Sequence, residues 1–108
     1  MINARFFRKE NRFSVEIKGH SGSAPRGEDL VCAAVSAGFL YLVAMLEDSG
    51  AEIILKKEKD GLCVVSFLGG EREEGAYMML YSGLSRLAKA YPECVNVGEG
   101  LRALPREE

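Results

Sequence analysis

A single histidine among 108 residues sets the first limit on what this chain can do. The three cysteines, Cys32, Cys63 and Cys94, form no Cys-x-x-Cys pair. A tetrahedral zinc site would need all four candidate ligands to converge from distant segments, so neither a metal nor another cofactor is expected. An odd number of widely spaced cysteines is also a poor disulfide scaffold and fits a reducing cytoplasm. Excess positive charge is lacking too: 14 Lys and Arg stand against 16 Asp and Glu, for a net charge of -2. A domain that lives on phosphate contacts is usually clearly basic, so direct nucleic-acid binding is not expected. The N-terminal stretch 1–15 carries Arg5, Arg8, Lys9, Glu10 and Arg12 and has no apolar core of signal-peptide length. Leu30 to Leu46 is uncharged, but as a helix it would span about 25 Å at roughly 1.5 Å per residue, short of a hydrocarbon core of about 30 Å. Its flanks are Glu28, Asp29, Glu47 and Asp48 instead of basic anchors, so it reads as a helix buried inside a small domain, with no membrane partner.

What is present describes one ordinary globular domain, 47% hydrophobic and 28% charged. Ile2 to Arg8 and Phe13 to Gly19 read as strands joined at Glu10-Asn11. In the second, Phe13, Val15 and Ile17 alternate with Ser14, Glu16 and Lys18. His20 to Glu28 holds Gly22, Pro25 and Gly27 and reads as a loop. Asp29 is placed to cap a helix running to about Asp48, which Ser49-Gly50 stops. Ala51 to Lys57 and Leu62 to Leu68 predict a second hairpin turned by Lys59-Asp60-Gly61. Glu71 to Tyr91 carries Tyr77, Leu80, Leu84, Leu87 and Tyr91 at helical spacing, Pro92 ends it, and Val95 to Gly98 is a last short strand. The order ββαββαβ predicts an α/β fold: two helices packed as a layer on a mainly antiparallel or mixed sheet over residues 1–98, followed by a tail over 99–108. The stripe Tyr77, Met78, Met79 and Tyr81 belongs to the core or to a dimer surface.

Two loop motifs resemble phosphate and RNA binders only superficially. Gly22 to Gly27 opens like a nucleotide-binding loop, but Glu28 and Asp29 stand where Lys and Ser/Thr would be needed. Gly19-His20-Ser21-Gly22 has the Gly-x-x-Gly spacing of KH domains, but it follows a strand and lacks flanking basic residues. A sharper constellation joins His20, at the start of the loop, to Cys32, in the first turn of the following helix. Unpaired N–H groups and the positive end of the helix dipole favour a thiolate there. A histidine folded back onto the sulfur could take the thiol proton and return it to a leaving amine. The same helix end could donate N–H groups to a developing oxyanion. Ser36 lies one turn beyond Cys32, and Asp29 is the nearest carboxylate that could orient the imidazole. Residue types and spacing leave two readings open, since Cys32 lies between Val31 and Ala33 and would serve equally as a core cysteine, with His20 a solvated loop residue. Cys63 and Cys94 fall in predicted strands and read as structural.

The run from Gly19 to Ser36, GHSGSAPRGEDLVCAAVS, closely resembles the signature of the ribosomal-processing cysteine protease family of Firmicutes and related bacteria. That pattern is Gly-His, a short loop, then Gly-x-Asp-[Ile/Leu/Val]-Val-Cys-Ala-x-Val-Ser. It is matched by Gly19, His20, Gly27, Asp29, Leu30, Val31, Cys32, Ala33, Val35 and Ser36. The resemblance implies a small cytoplasmic endopeptidase, usually a homodimer. Such an enzyme removes the N-terminal extension of a large-subunit ribosomal protein, the twenty-seventh, after a Phe-Phe-containing sequence. Carried over by position, Cys32 is the nucleophile, His20 the general base and acid, and Ser36 and Asp29 have supporting roles. A loop containing Gly19, Ser21, Gly22 and Gly27 is expected to close over the extended peptide. The competing reading is a noncatalytic ribosome-assembly or RNA-binding module. A thiol redox protein is disfavoured because no resolving cysteine lies near Cys32 in sequence.

Overall fold

Alternating apolar residues in the first two runs make a hairpin. In the computed structural model, β1 (Ile2–Lys9) and β2 (Arg12–Lys18) pair antiparallel from Asn3↔Lys18 to Lys9↔Arg12. Glu10 turns the corner in the left-handed backbone region at φ 55°. The structure describes residues 1–19 and 28–100; for Glu28, Asp29, Glu99 and Gly100 it describes the backbone alone. The second hairpin, β3 (Glu52–Lys59) and β4 (Leu62–Leu68), turns at Asp60-Gly61, with Gly61 at φ 79°. A bulge between Ile53 and Leu55 shifts its register.

Pairing of β4 with β2 joins the hairpins, and β5 (Val95–Gly100) lies parallel to β1, so the sheet is mixed with the order β3-β4-β2-β1-β5. The last strand therefore runs to Gly100, two residues beyond its expected end. Helix α1 (Glu28–Ser49) starts at Glu28, so Asp29 lies within its first turn rather than capping it. Helix α2 spans Glu71–Ala90. The Gly70 N–H donates to the Glu73 carboxylate at 2.9 Å, which satisfies one of the unpaired donors at the start of α2. That hydrogen bond first, supported by one from Ser49, holds the Glu73 carboxyl below its usual range.

Both helices lie on one face of the sheet. Val31, Val35, Phe39, Leu42, Val43 and Leu46 form the buried stripe of α1, at the i, i+4, i+8 spacing of one helix face. Against them stand Ile2, Ala4 and Phe6 of β1, Phe13, Val15 and Ile17 of β2, and Val65 and Phe67 of β4. Rings lock α2 to this core: Phe6 meets Tyr77 and Tyr81 edge-on at 5.6 and 5.1 Å, and Phe13 meets Tyr77 at 5.0 Å. The Met/Tyr stripe thus splits, with Tyr77 and Tyr81 packed inward while Met78 and Met79 are exposed. Among the described residues, Leu30–Ser49 is long and apolar enough to cross a bilayer by length and composition. Its buried stripe already has a partner in the sheet, which is what the acidic flanks predict.

Candidate active site

The first turns of α1 rest on the ends of β2 and β4, and a cavity of about 230 Å3 opens there. Cys32 lines it together with Ser36, one turn further along the same helix. Ile2, Ile17, Val35 and Leu62 supply apolar walls, and Lys59 and Asp60 stand at the turn of the second hairpin. Cys32 is the fifth residue of α1 and is half-buried, so its sulfur belongs to the wall of an open cavity instead of the closed core. Ser36 is exposed.

Gly19, at the end of β2, completes this wall. Its N–H donates to the Gly61 carbonyl at 2.9 Å, tying the strand end to the neighbouring turn. The backbone there is left-handed, at φ 103°, and a Cβ would stand 2.3 Å from the Met1 carbonyl oxygen. Only glycine fits, for both reasons. The described chain therefore leaves β2 at the cavity. His20, Ser21, Gly22 and Gly27 lie outside the described residues, as does the side chain of Asp29.

The structure also places at this site a residue that sequence spacing does not reveal. Cys63 lines the same cavity as Cys32, although 31 positions separate them. It pairs with Ile17 across β2 and β4, on the face beneath α1. The two cysteines thus share one cavity wall, which linear spacing does not show. The Cys63 thiol is pushed above its ordinary range, by burial first and then by the negative charge of Glu58, which stands opposite it on β3. At neutral pH it holds its proton and is a poor nucleophile. Cys94 is buried in the core at the start of β5. Of the three cysteines, Cys32 is thus the one that combines a cavity wall with a helix N-terminal turn. Among the described residues, no group of three or more His, Cys, Asp and Glu is placed to hold a metal ion.

A second hollow, of about 250 Å3, lies between α1 and α2. Ala34, Gly38 and Tyr41 face Met79, Leu80 and Gly83 across it. Small residues let the helices approach closely: a Cβ on Gly38 would stand 2.8 Å from Leu80 Cδ1.

The family model of cysteine protease Prp matches residues 1–96. The crystal structure of SMU.848 from Streptococcus mutans is 30% identical, with 94% of this chain and 96% of that chain covered at a TM-score of 0.74. Two crystal structures of an essential ribosomal processing protease Prp from S. aureus share the fold. One holds a covalently linked product peptide, at TM-score 0.78 and 17% identity, and covers 92% of this chain and 99% of that one. The other holds a substrate peptide, at TM-score 0.70 and 16% identity, with the same coverage. No curated protein matches.

Proposed function

This chain belongs to the cysteine protease Prp family, and from that premise we propose that it is an endopeptidase in which Cys32 is the nucleophile and His20 its acid and base. The observation that carries this reading is the cavity shared by Cys32 and Gly19, the residue that immediately precedes His20. In the proposed reaction, the imidazole of His20 takes the Cys32 thiol proton as the sulfur attacks the scissile carbonyl. It then hands that proton to the leaving amine, and water hydrolyses the resulting thioester. The N–H groups at the start of α1 face the developing oxyanion, and Ser36 and Asp29 support the pair. Ile2, Ile17, Val35 and Leu62 offer an apolar surface for a substrate side chain, with no cofactor in the reaction.

The proposed substrate is the precursor of the twenty-seventh large-subunit ribosomal protein, which loses its N-terminal extension. Its support is the Gly19–Ser36 motif together with the fold shared with a ribosomal processing protease crystallised with peptides. The proposed setting is the cytoplasm, and the proposed assembly a homodimer through the outer helix face, where Leu40, Tyr41 and Met79 are exposed. The test is incubation with the precursor, followed by mass measurement of the product N-terminus. Wild type should release the extension after the aromatic pair, and Cys32→Ala and His20→Ala should not. Cleavage by Cys32→Ala would end the nucleophile assignment.

A further inference from the structure

The net charge of -2 conceals how the charges of this chain are sorted. Residues directly opposite one another across paired strands share a face of the sheet, and alternate residues of one strand take opposite faces. In β1, Ile2, Ala4 and Phe6 are buried under the helices, which sends Arg5 and Lys9 to the other face. Lys18 pairs with Asn3 and joins them, Lys57 reaches the same face through its partner Val64, and Lys59, paired with Leu62, stands at the edge that this face shares with the Cys32 cavity. Arg5, Lys9, Lys18, Lys57 and Lys59 are all exposed, and the described carboxylates that share their rows are Glu16 and Glu52.

Cations on the helix side are treated differently. Arg8 pairs with Glu74 of α2, and Lys56 with Glu47 of α1 at 3.3 Å. Among the described residues, no salt bridge engages Arg5, Lys9, Lys18, Lys57 or Lys59. A depression of about 460 Å3 lies within the basic face, lined by Asn3, Arg5, Lys18, Asn96 and Gly98. It therefore combines two cations with two carboxamides and no described carboxylate.

We propose that this helix-free face of the sheet binds the phosphate backbone of RNA. From β3 to β1 the cations cover three strand spacings, about 14 Å at roughly 4.8 Å each. That breadth meets several phosphates at once and is wider than a single extended acidic peptide. Asn3 and Asn96 carry donors and acceptors of the kind that recognise a ribose 2′-hydroxyl. The face does not suit a membrane, because Phe7 and Val64 on it are buried while the exposed Leu40, Tyr41 and Met79 belong to the helices. Phe7 also lies under the Arg5 guanidinium, 5.8 Å from its ring centre, and is 9% exposed, so it offers no platform for base stacking. Binding is thus to backbone, salt-sensitive and weakly selective for sequence.

Fluorescence anisotropy of a labelled RNA hairpin with the full chain tests this. Three or four phosphate contacts should weaken binding roughly 20- to 150-fold between about 50 and 200 mM salt. The variant Arg5→Glu/Lys57→Glu should bind at least about 10-fold more weakly, with a flatter salt dependence. Arg86→Glu/Lys89→Glu, which changes net charge equally on α2, should stay within about 3-fold of wild type. Cys32→Ala should bind RNA like wild type, since this surface does not depend on the protease reading. The proposal is overturned if wild type does not bind, if both charge-reversed variants lose affinity equally, if a DNA hairpin binds as well as RNA, or if anionic vesicles bind while RNA does not.

Discussion

The cleft between α1 and α2 and the cavity beside Cys32 have nearly the same volume, about 250 and 230 Å3, and opposite chemistry. The same helix builds both. Ala34, Gly38 and Tyr41 face the cleft, while Cys32, Val35 and Ser36 face the cavity. The cleft is walled by apolar and small residues, which favours packing against another apolar surface. The cavity sets two thiols, a hydroxyl, Lys59, Asp60 and the strand-end glycine against apolar walls, a mixture suited to orienting a peptide. Volume therefore says little about function; the convergence of polar groups from α1, β4 and the turn of the second hairpin says more.

The largest effect should come from separating the two cysteines of the cavity. Cys32→Ala should lower cleavage of the precursor by at least about 10,000-fold, the scale of a lost nucleophile. Cys63→Ala should leave kcat within about 10-fold and act through KM, because Cys63 lines the wall without serving as nucleophile. If Cys63→Ala were as inactive as Cys32→Ala, the distinction between them would be wrong.

The next largest effect concerns how the cavity is framed. Gly19→Val would place a β-branched side chain at positive φ with its Cβ against the Met1 carbonyl. We predict about 2–3 kcal/mol of destabilisation, roughly 10–20 °C in Tm by thermal unfolding, together with reduced cleavage. An unchanged Tm would show that β1 and β2 can separate there without cost.

The helix cleft gives a third test. Tyr41 and Met79 are 65% and 68% exposed, so Tyr41→Glu/Met79→Glu should leave Tm nearly unchanged. It should weaken the proposed homodimer about 100-fold or more in sedimentation equilibrium, the scale for two anchor residues of such an interface. An unaltered dimer would move the interface elsewhere.

Smaller effects are expected from titration. Near neutral pH, iodoacetamide should label Cys32 about 10-fold faster than Cys63, because burial and Glu58 hold the Cys63 proton. Raising the pH, or replacing Glu58 with Gln, should narrow the gap. The smallest effect belongs to Glu73, at the start of the α2 wall of the cleft. Its pKa is lowered in the folded state, so its contribution is present above the unfolded carboxyl range near pH 4.3. That contribution is lost as pH falls through the lower folded value. Glu73→Gln should remove this acid dependence and shift Tm slightly at neutral pH.

Much of the fold is legible in local pattern, for a reason visible in particular residues. Phe13, Val15 and Ile17 alternate because one face of β2 lies under the helices, and Val31, Val35, Phe39 and Val43 recur at helical spacing because α1 buries one stripe. Local pattern sets the start of α1 two residues late, at Leu30, because Asp29 makes a good cap in isolation, whereas the helix begins at Glu28. The Met/Tyr stripe could not be divided by spacing alone, since which tyrosine turns inward depends on the Phe6 and Phe13 rings it meets. Cys63 reads as a structural strand cysteine in sequence because its place in the Cys32 cavity depends on β2–β4 pairing, a long-range contact with no local signal.

By itself the sequence determined the order of elements and the Gly19–Ser36 motif, on which the proposal of Cys32 as nucleophile rests, because periodicity and motif spacing are properties of neighbouring residues. Only the tertiary structure decided the strand order β3-β4-β2-β1-β5, the cavity shared by Cys32, Cys63 and Gly19, and the sorting of Arg5, Lys9, Lys18 and Lys57 onto the helix-free face. These depend on register between segments far apart in the chain. Which strands pair is set by the burial of the whole apolar surface at once.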